Sequence, residues 1–127
     1  MNSETNTSPL KRTALWARHL ALGGRLIEFG GWEMPVQYTS IVEEHLAVRA
    51  AAGIFDISHM GEVTVSGASA AAFLNRVLTN DIRKLAPGQG QYTLLCNERG
   101  GTIDDLYAYR LCEEAFLLII NASRITP

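Results

Sequence analysis

The feature of this sequence that most limits its fold is a pair of strand-like runs separated by a five-residue turn, residues 97–101. The runs at 91–96 and 103–109 are rich in aromatic, aliphatic and β-branched residues, which suit a pleated sheet. The turn ends in Gly100 and Gly101, and we expect both glycines to adopt the positive φ values that tight connections need. The sequence therefore predicts a β-hairpin.

Two adjacent acids, Asp104 and Asp105, lie near the start of the second run. Side chains alternate between the two faces of a strand, so the two carboxylates are expected to point in opposite directions. Both faces also carry apolar residues, and a carboxylate among them needs hydrogen-bond partners. Two interpretations stay open here: a chemical role for one acid, or two acids that only cap amides of the turn.

The composition of the chain excludes some classes of partner. Its 127 residues suit one domain, and 11 basic against 13 acidic residues give a formal net charge of -2. The basic residues form no stripe, which argues against nucleic acid or a membrane surface as partner. No apolar run reaches the roughly 18 residues that a membrane-spanning helix needs.

The cysteines and histidines do not form a metal-binding pattern. Cys96 and Cys112 are too far apart for a CxxC unit, and no histidines cluster with them. We therefore expect two reduced thiols and no bound metal. His45 is expected on the flank of a helix, and His59 is expected to make a structural hydrogen bond.

The beginning of the chain reads as a polar tail followed by mixed elements. Residues 1–9 lack the apolar core of a signal peptide and the Arg-rich pattern of a transit peptide, which predicts a disordered tail on a cytoplasmic protein. Helical propensity over 10–22 predicts a helix, and 25–29 predicts a short strand. The segment 30–38, with two glycines and a proline, is interpreted as a loop.

The middle of the chain carries a capping box formed by Ser40 and Glu43, which predicts a helix from there to Ala52. Gly53 is expected to end this helix in the left-handed conformation. Two strand-like runs follow at 54–58 and 62–66. We interpret them as a second hairpin.

The last part adds a helix over 68–78 and an apolar strand at 116–120. Together with the hairpin, this strand predicts an antiparallel meander, and the fold class is α+β: one mainly antiparallel sheet with packed helices. Residues 10–127 are expected to be an incomplete domain, because the chain stops soon after its most apolar strand. An uncovered strand of this kind predicts self-association.

Four motifs carry a resemblance to a known family. In chain order they are FGGWEMPVQY (29–38), FDISHMGE (55–62), LTND (78–81) and CNERGGTIDD (96–105). With these motifs the chain resembles the N-terminal part of aminomethyltransferase, the T-protein of the glycine cleavage system. Four motifs in the right order are far more specific than any one of them.

The resemblance implies a function and a partner. Enzymes of this family take the aminomethyl group carried on the lipoyl arm of the H-protein, move its one-carbon unit to tetrahydrofolate and release ammonia. They are three-domain proteins, so this chain is expected to contain part of the folate-binding first domain. By position in the motifs, Asp105 looks like the catalytic, folate-contacting acid, Tyr92 looks like the folate-contacting tyrosine, and Met60 looks like a wall of the pterin site.

Other functions remain open beside this one. One alternative is a relative that keeps the folate pocket without glycine-cleavage chemistry, and another is a related folate-dependent demethylase. A third is an inactive fragment that acts only as an interaction module. For Tyr107 and Tyr109, which share the strand face of Asp105, plain packing is the preferred interpretation.

Overall fold

The computed structural model describes residues 9–125, which form two compact units that divide between His59 and Met60. In chain order the elements are α1 (Trp16–Ala21), β1 (Arg25–Phe29), β2 (Trp32–Gln37), α2 (Ile41–Ala50), β3 (Gly61–Ser66), α3 (Ala70–Val77), β4 (Gly90–Cys96), β5 (Thr102–Cys112) and β6 (Ala115–Ile120), with 3₁₀ turns at Ile82–Lys84 and Ala122–Arg124. Within these residues no helix is long and apolar enough to cross a membrane. The α+β class with antiparallel pairing is confirmed, but there are two sheets instead of one.

The first unit contains a hairpin where the sequence predicted a loop. Strands β1 and β2 pair antiparallel, and the turn between them is only Gly30 and Gly31, with φ values of 58° and 84°. A two-residue turn with positive φ at both positions matches the twist of the strands. In the sequence, Pro35 argues against a strand at this position. Proline is tolerated in edge strands, however, and β2 is an edge strand because its sheet has only two strands.

Helix α2 begins as the capping box predicts, but it ends differently. The Glu43 amide donates to Oγ of Ser40 at 3.2 Å, and the Glu43 carboxylate accepts from the Ser40 hydroxyl instead of the Ser40 amide. The helix ends at Ala50, and Gly53 does not have the expected positive φ. Glycine is instead required there by space, because a Cβ on Gly53 would collide with the side chain of Val48.

The second unit is built on a four-stranded antiparallel sheet with the order β3-β6-β5-β4. The meander of the last three strands is confirmed. The expected pairing of 54–58 with 62–66 is wrong, because β3 pairs with β6 and the earlier segment is not a strand. In that segment Asp56 accepts a hydrogen bond from the Ser58 amide, and such a local turn competes with strand pairing.

The core of the second unit lies on one face of this sheet. Alternate side chains of β5 and β6 are buried there, together with α3 and the 3₁₀ turn at Ile82–Lys84. The buried members are Ala70, Leu74, Leu78, Ile82, Leu85, Leu106, Ala108, Phe116 and Leu118. Residues of the same strands with the opposite parity form the other face, which we call the open face.

The β4–β5 hairpin is organised by an asparagine as well as by glycine. Gly100 has a φ of 79°, whereas Gly101 does not have the positive φ expected of it. Oδ1 of Asn97 accepts from the amides of Arg99 and Gly101 at 2.9 Å each. Asn97 therefore caps this turn, which removes the need for either aspartate to do so.

Candidate functional site

The two adjacent acids of β5 lie on opposite faces of the sheet, as strand alternation predicts. The Asp104 side chain is directed to the core face and the residue is buried, with 7% exposure, while Asp105 is exposed on the open face. Asp104 is held by Asn121 and not by a turn amide, so the interpretation of both acids as turn caps is wrong. Only Asp105 is placed to meet a ligand on the open face.

Side chains on both sides of β5 hold the carboxylate of Asp105 by hydrogen bonds. The phenol of Tyr92, on β4, donates to Oδ2 of Asp105 at 2.8 Å. Nδ2 of Asn121, which follows β6, donates to Oδ1 at 3.1 Å. The hydrogen bond to Asp105, followed by desolvation, raises the pKa of Tyr92 above its usual range, so the phenol remains the donor at neutral pH.

Met60 directly precedes the sheet that carries this acid. Gly61, the first residue of β3, pairs with Ile120, the last residue of β6. Tyr92 pairs with Tyr107 on the open face, two positions along β5 from Asp105. Of the three residues named from the sequence as site residues, Tyr92 and Asp105 therefore lie together on the open face, and Met60 lies at the start of β3.

Two tyrosines extend the open face beyond Asp105. The rings of Tyr107 and Tyr109 have centroids 4.9 Å apart, and the side chains remain 41% and 38% exposed. They lie close to Gly90, where a Cβ would approach both rings within 2.7 Å. The two rings pack against each other, as expected, and they also form a partly accessible aromatic surface on the open face.

Sequence reasoning missed Gly90 and Asn121 as parts of this region. Gly90 reads as the last residue of a turn, and its requirement for a hydrogen side chain depends on rings that come from β5. Asn121 reads as the first polar residue after an apolar strand. The only signal for Asn121 is its strand register, which depends on knowing that β6 lies beside β5.

A separate polar cluster is buried in the first unit. Thr13 and Nε2 of His19 each donate to Oδ2 of Asp56 at 2.8 Å, and Nδ1 of His19 lies 2.6 Å from the Tyr38 hydroxyl. Burial opposes the charge of Asp56, but hydrogen bonds from Ser58, His19 and Thr13 outweigh burial and hold the pKa of this carboxyl well below its usual range. This cluster stabilises the unit.

The two other histidines differ in their surroundings: His45 is exposed and His59 is buried. His45 is exposed on α2, as expected of a helix flank. His59 is 8% exposed and lies edge-on to the rings of Phe29 and Trp32, and its Nδ1 has no hydrogen-bond partner among residues 9–125. The structure therefore gives His59 aromatic packing instead of the expected hydrogen bond at this atom. Across the same residues, no group of three or more His, Cys, Asp or Glu side chains is arranged to hold a metal ion.

Comparison with known proteins relates this chain to one family. Residues 15–126 match the family model described as the GCVT N-terminal domain. The aminomethyltransferase of Bacillus cytotoxicus is 59% identical over 116 residues, which is 91% of this chain and 32% of that protein. The aminomethyltransferase of Desulforamulus reducens is 55% identical over 114 residues, 90% of this chain and 31% of that protein.

A solved structure shows the same fold. The glycine cleavage system aminomethyltransferase T from Bartonella henselae superimposes with a TM-score of 0.85 at 43% sequence identity. The match covers 91% of this chain and 32% of that one. The chain thus spans about a third of the length of the relatives it matches.

Proposed function

Because the chain belongs to the GCVT N-terminal domain family, we propose that it forms part of the tetrahydrofolate site of a glycine cleavage aminomethyltransferase. In the proposed reaction a one-carbon unit passes from the aminomethyl-lipoyl arm of the H-protein to tetrahydrofolate, with release of ammonia. Residues 10–127 would be the N-terminal part of the folate-binding domain, and the proposed location is the cytoplasm. The relatives that this chain matches are about three times as long, and we propose that activity needs the segments of those relatives that this chain does not span.

One observation carries this proposal: the hydrogen-bonded pair of Tyr92 and Asp105 on the open face. An exposed strand carboxylate in water is normally mobile, whereas this one accepts from Tyr92 on one oxygen and from Asn121 on the other. Holding a reactive group in one orientation is a large part of catalysis. The geometry therefore supports Asp105 as the acting acid and Tyr92 as its partner.

The open face has the chemistry that a reduced pterin requires. A pterin is flat, with polar edges, and such ligands fit an apolar surface that carries a few fixed polar groups. Tyr107, Tyr109 and Ile119 supply the apolar surface, and Asp105 supplies a hydrogen-bond acceptor. Met60, which directly precedes β3, is proposed as a further wall.

The role proposed for Asp105 is electrostatic and orienting. When bound, tetrahydrofolate supplies the amine that receives the one-carbon unit. Asp105 accepts the hydrogen bond of that amine, directs its lone pair to the incoming carbon and stabilises positive charge that develops there. Groups acting in this way typically contribute a factor of about 10²–10⁴ to the rate.

The test uses a chimera in which this chain replaces the matching third of the Bacillus cytotoxicus aminomethyltransferase. Asp105→Asn keeps the shape and removes the charge, and we expect folate-dependent turnover to fall about 10²-fold or more. Glu98→Gln, an exposed change in the hairpin turn, is the matched control. Near-normal turnover in Asp105→Asn would show that the acid is elsewhere.

A further inference from the structure

Asn121 makes more contacts to the two acids than any other side chain in the described part of the chain. Its Nδ2 lies 2.8 Å from Oδ1 of Asp104, 2.9 Å from the backbone oxygen of Asp105 and 3.1 Å from Oδ1 of Asp105. All three partners are acceptors, so the amide nitrogen and not the amide oxygen must face them. Two hydrogens serve three acceptors, which means that one N–H is shared.

The position of Asn121 would ordinarily favour a different use of its side chain. It precedes the 3₁₀ turn at Ala122–Arg124, where an asparagine commonly caps the following amides. Here the side chain makes no capping hydrogen bond. It is directed instead to the two acids on β5.

We propose that Asn121 is a positioning residue for Asp105, which fixes the carboxylate so that its other oxygen meets Tyr92. This inference rests on the proposed function, in which Asp105 contacts the one-carbon acceptor. Tyr92 from β4 and Asn121 from the end of β6 hold the acid from the two sides of β5. Without Asn121, the carboxylate is held on one side only and regains side-chain rotation.

Asn121 also links the buried acid to the exposed one. The same amide that binds Asp105 binds the Asp104 carboxylate, whose second oxygen accepts from the Asn121 backbone at 3.2 Å. Asp104 in turn fixes the Asn121 side chain, because a buried carboxylate is costly without its donors. The orientation of Asp105 thus depends on an anchor on the opposite face of the sheet.

The decisive experiment follows the Tyr92 phenol in this 127-residue chain by NMR of ring-labelled tyrosine, with Tyr92→Phe to assign its signal. The variant Asp105→Asn is the reference, because Tyr92 then titrates without its carboxylate partner. In this variant the pKa of Tyr92 should fall toward the ordinary value for tyrosine. In Asn121→Ala the pKa of Tyr92 should move at least halfway from its value in the parent chain to its value in Asp105→Asn. Ser123→Ala, an exposed neighbour in the same turn, should titrate like the parent chain.

Two outcomes would overturn the inference. One is a Tyr92 titration in Asn121→Ala that superimposes on that of the parent chain, and the other is an unchanged titration in Asp105→Asn. If Asn121→Ala does not fold, the comparison is made in an Asp104→Asn background, where no buried charge is left without its donor. The titration needs no tetrahydrofolate, so its result is separate from that of the chimera assay.

Discussion

Asp104 accepts hydrogen bonds from Asn121 at both carboxylate oxygens, one from the backbone amide and one from the side-chain amide. A buried acid of this kind stabilises the fold only while its donors remain, since an unsatisfied buried charge is costly. The relationship joins β5 to the segment that follows β6. Asp104 therefore contributes to the stability of the fold, and Asp105 is the acid that is available to a ligand.

The first prediction concerns Asp104. In Asp104→Asn one acceptor oxygen becomes an amide that faces the Asn121 donors, and we expect the free energy of unfolding to fall by about 1.5–3 kcal/mol. Urea unfolding followed by far-UV circular dichroism measures this. Asp105→Asn, at an exposed position, should lower the free energy of unfolding less than Asp104→Asn does. In the chimera it should reduce turnover more than Asp104→Asn does. The reverse order would place the acting acid on the core face.

The second prediction concerns acid stability of the first unit. Asp56 has a folded-state pKa below its unfolded value of about 3.9, so its stabilising contribution is present above that value and is lost as the pH falls below about 4. We expect Asp56→Asn to cost about 2 kcal/mol at pH 7 and less at pH 3. Fluorescence of Trp16 and Trp32, both in this unit, follows unfolding.

A matched control for this experiment is Glu98→Gln, an exposed change in the second unit. It should leave the tryptophan-detected transition unchanged at both pH values. An Asp56→Asn penalty that is equal at pH 7 and pH 3 would contradict the assigned pKa direction. Such a result would mean that lost packing, and not lost charge, explains the penalty.

The third prediction concerns Gly90. An alanine Cβ there would approach the rings of Tyr109 and Tyr107 to 2.6 and 2.7 Å, so both rings must shift. We expect a stability loss of about 1–3 kcal/mol and a changed near-UV circular dichroism spectrum of the tyrosines. Ser66→Ala, at an exposed strand position, should leave both unchanged. An unaltered tyrosine spectrum in Gly90→Ala would show that the rings are not seated on this glycine.

The fourth prediction concerns self-association of the isolated chain. Strand β6 lies between β3 and β5, so the expectation that it is left uncovered and self-associates through its own edge is wrong. Self-association stays a prediction, and its surface becomes the open face, where Tyr92, Tyr107 and Tyr109 are exposed. Light scattering across a concentration series should show association that Tyr107→Glu weakens and Val42→Glu, on α2, does not. A monomer at every concentration would rule it out.

Much of the second unit follows from the sequence because its signals are local. The alternation along β5 separates Asp104 from Asp105, and the turn residues at 97–101 define the hairpin. These features depend on neighbours within a few residues. The same locality explains why β1 was predicted with its observed bounds.

The features that could not be predicted depend on contacts distant in sequence. Asn121 meets Asp105 only because β6 pairs with β5 in one particular register. The segment 54–58 has strand-like composition, but hydrogen bonds to Asp56 from Thr13 and His19 hold it in an irregular conformation. The composition of a segment indicates its propensity to form a strand, but contacts with distant residues determine whether the strand forms.

The strand order has a consequence for biosynthesis. Among the described residues, Gly61 on β3 pairs with Ile120 on β6, a strand that is made after β4 and β5 but lies in the centre of the sheet. While the ribosome has released only residues before Ala115, β4 and β5 can form their hairpin, but β3 has nothing to pair with. The four-stranded sheet therefore completes only after β6 emerges and pairs with both β3 and β5, so its most sequence-distant pairing forms late in synthesis.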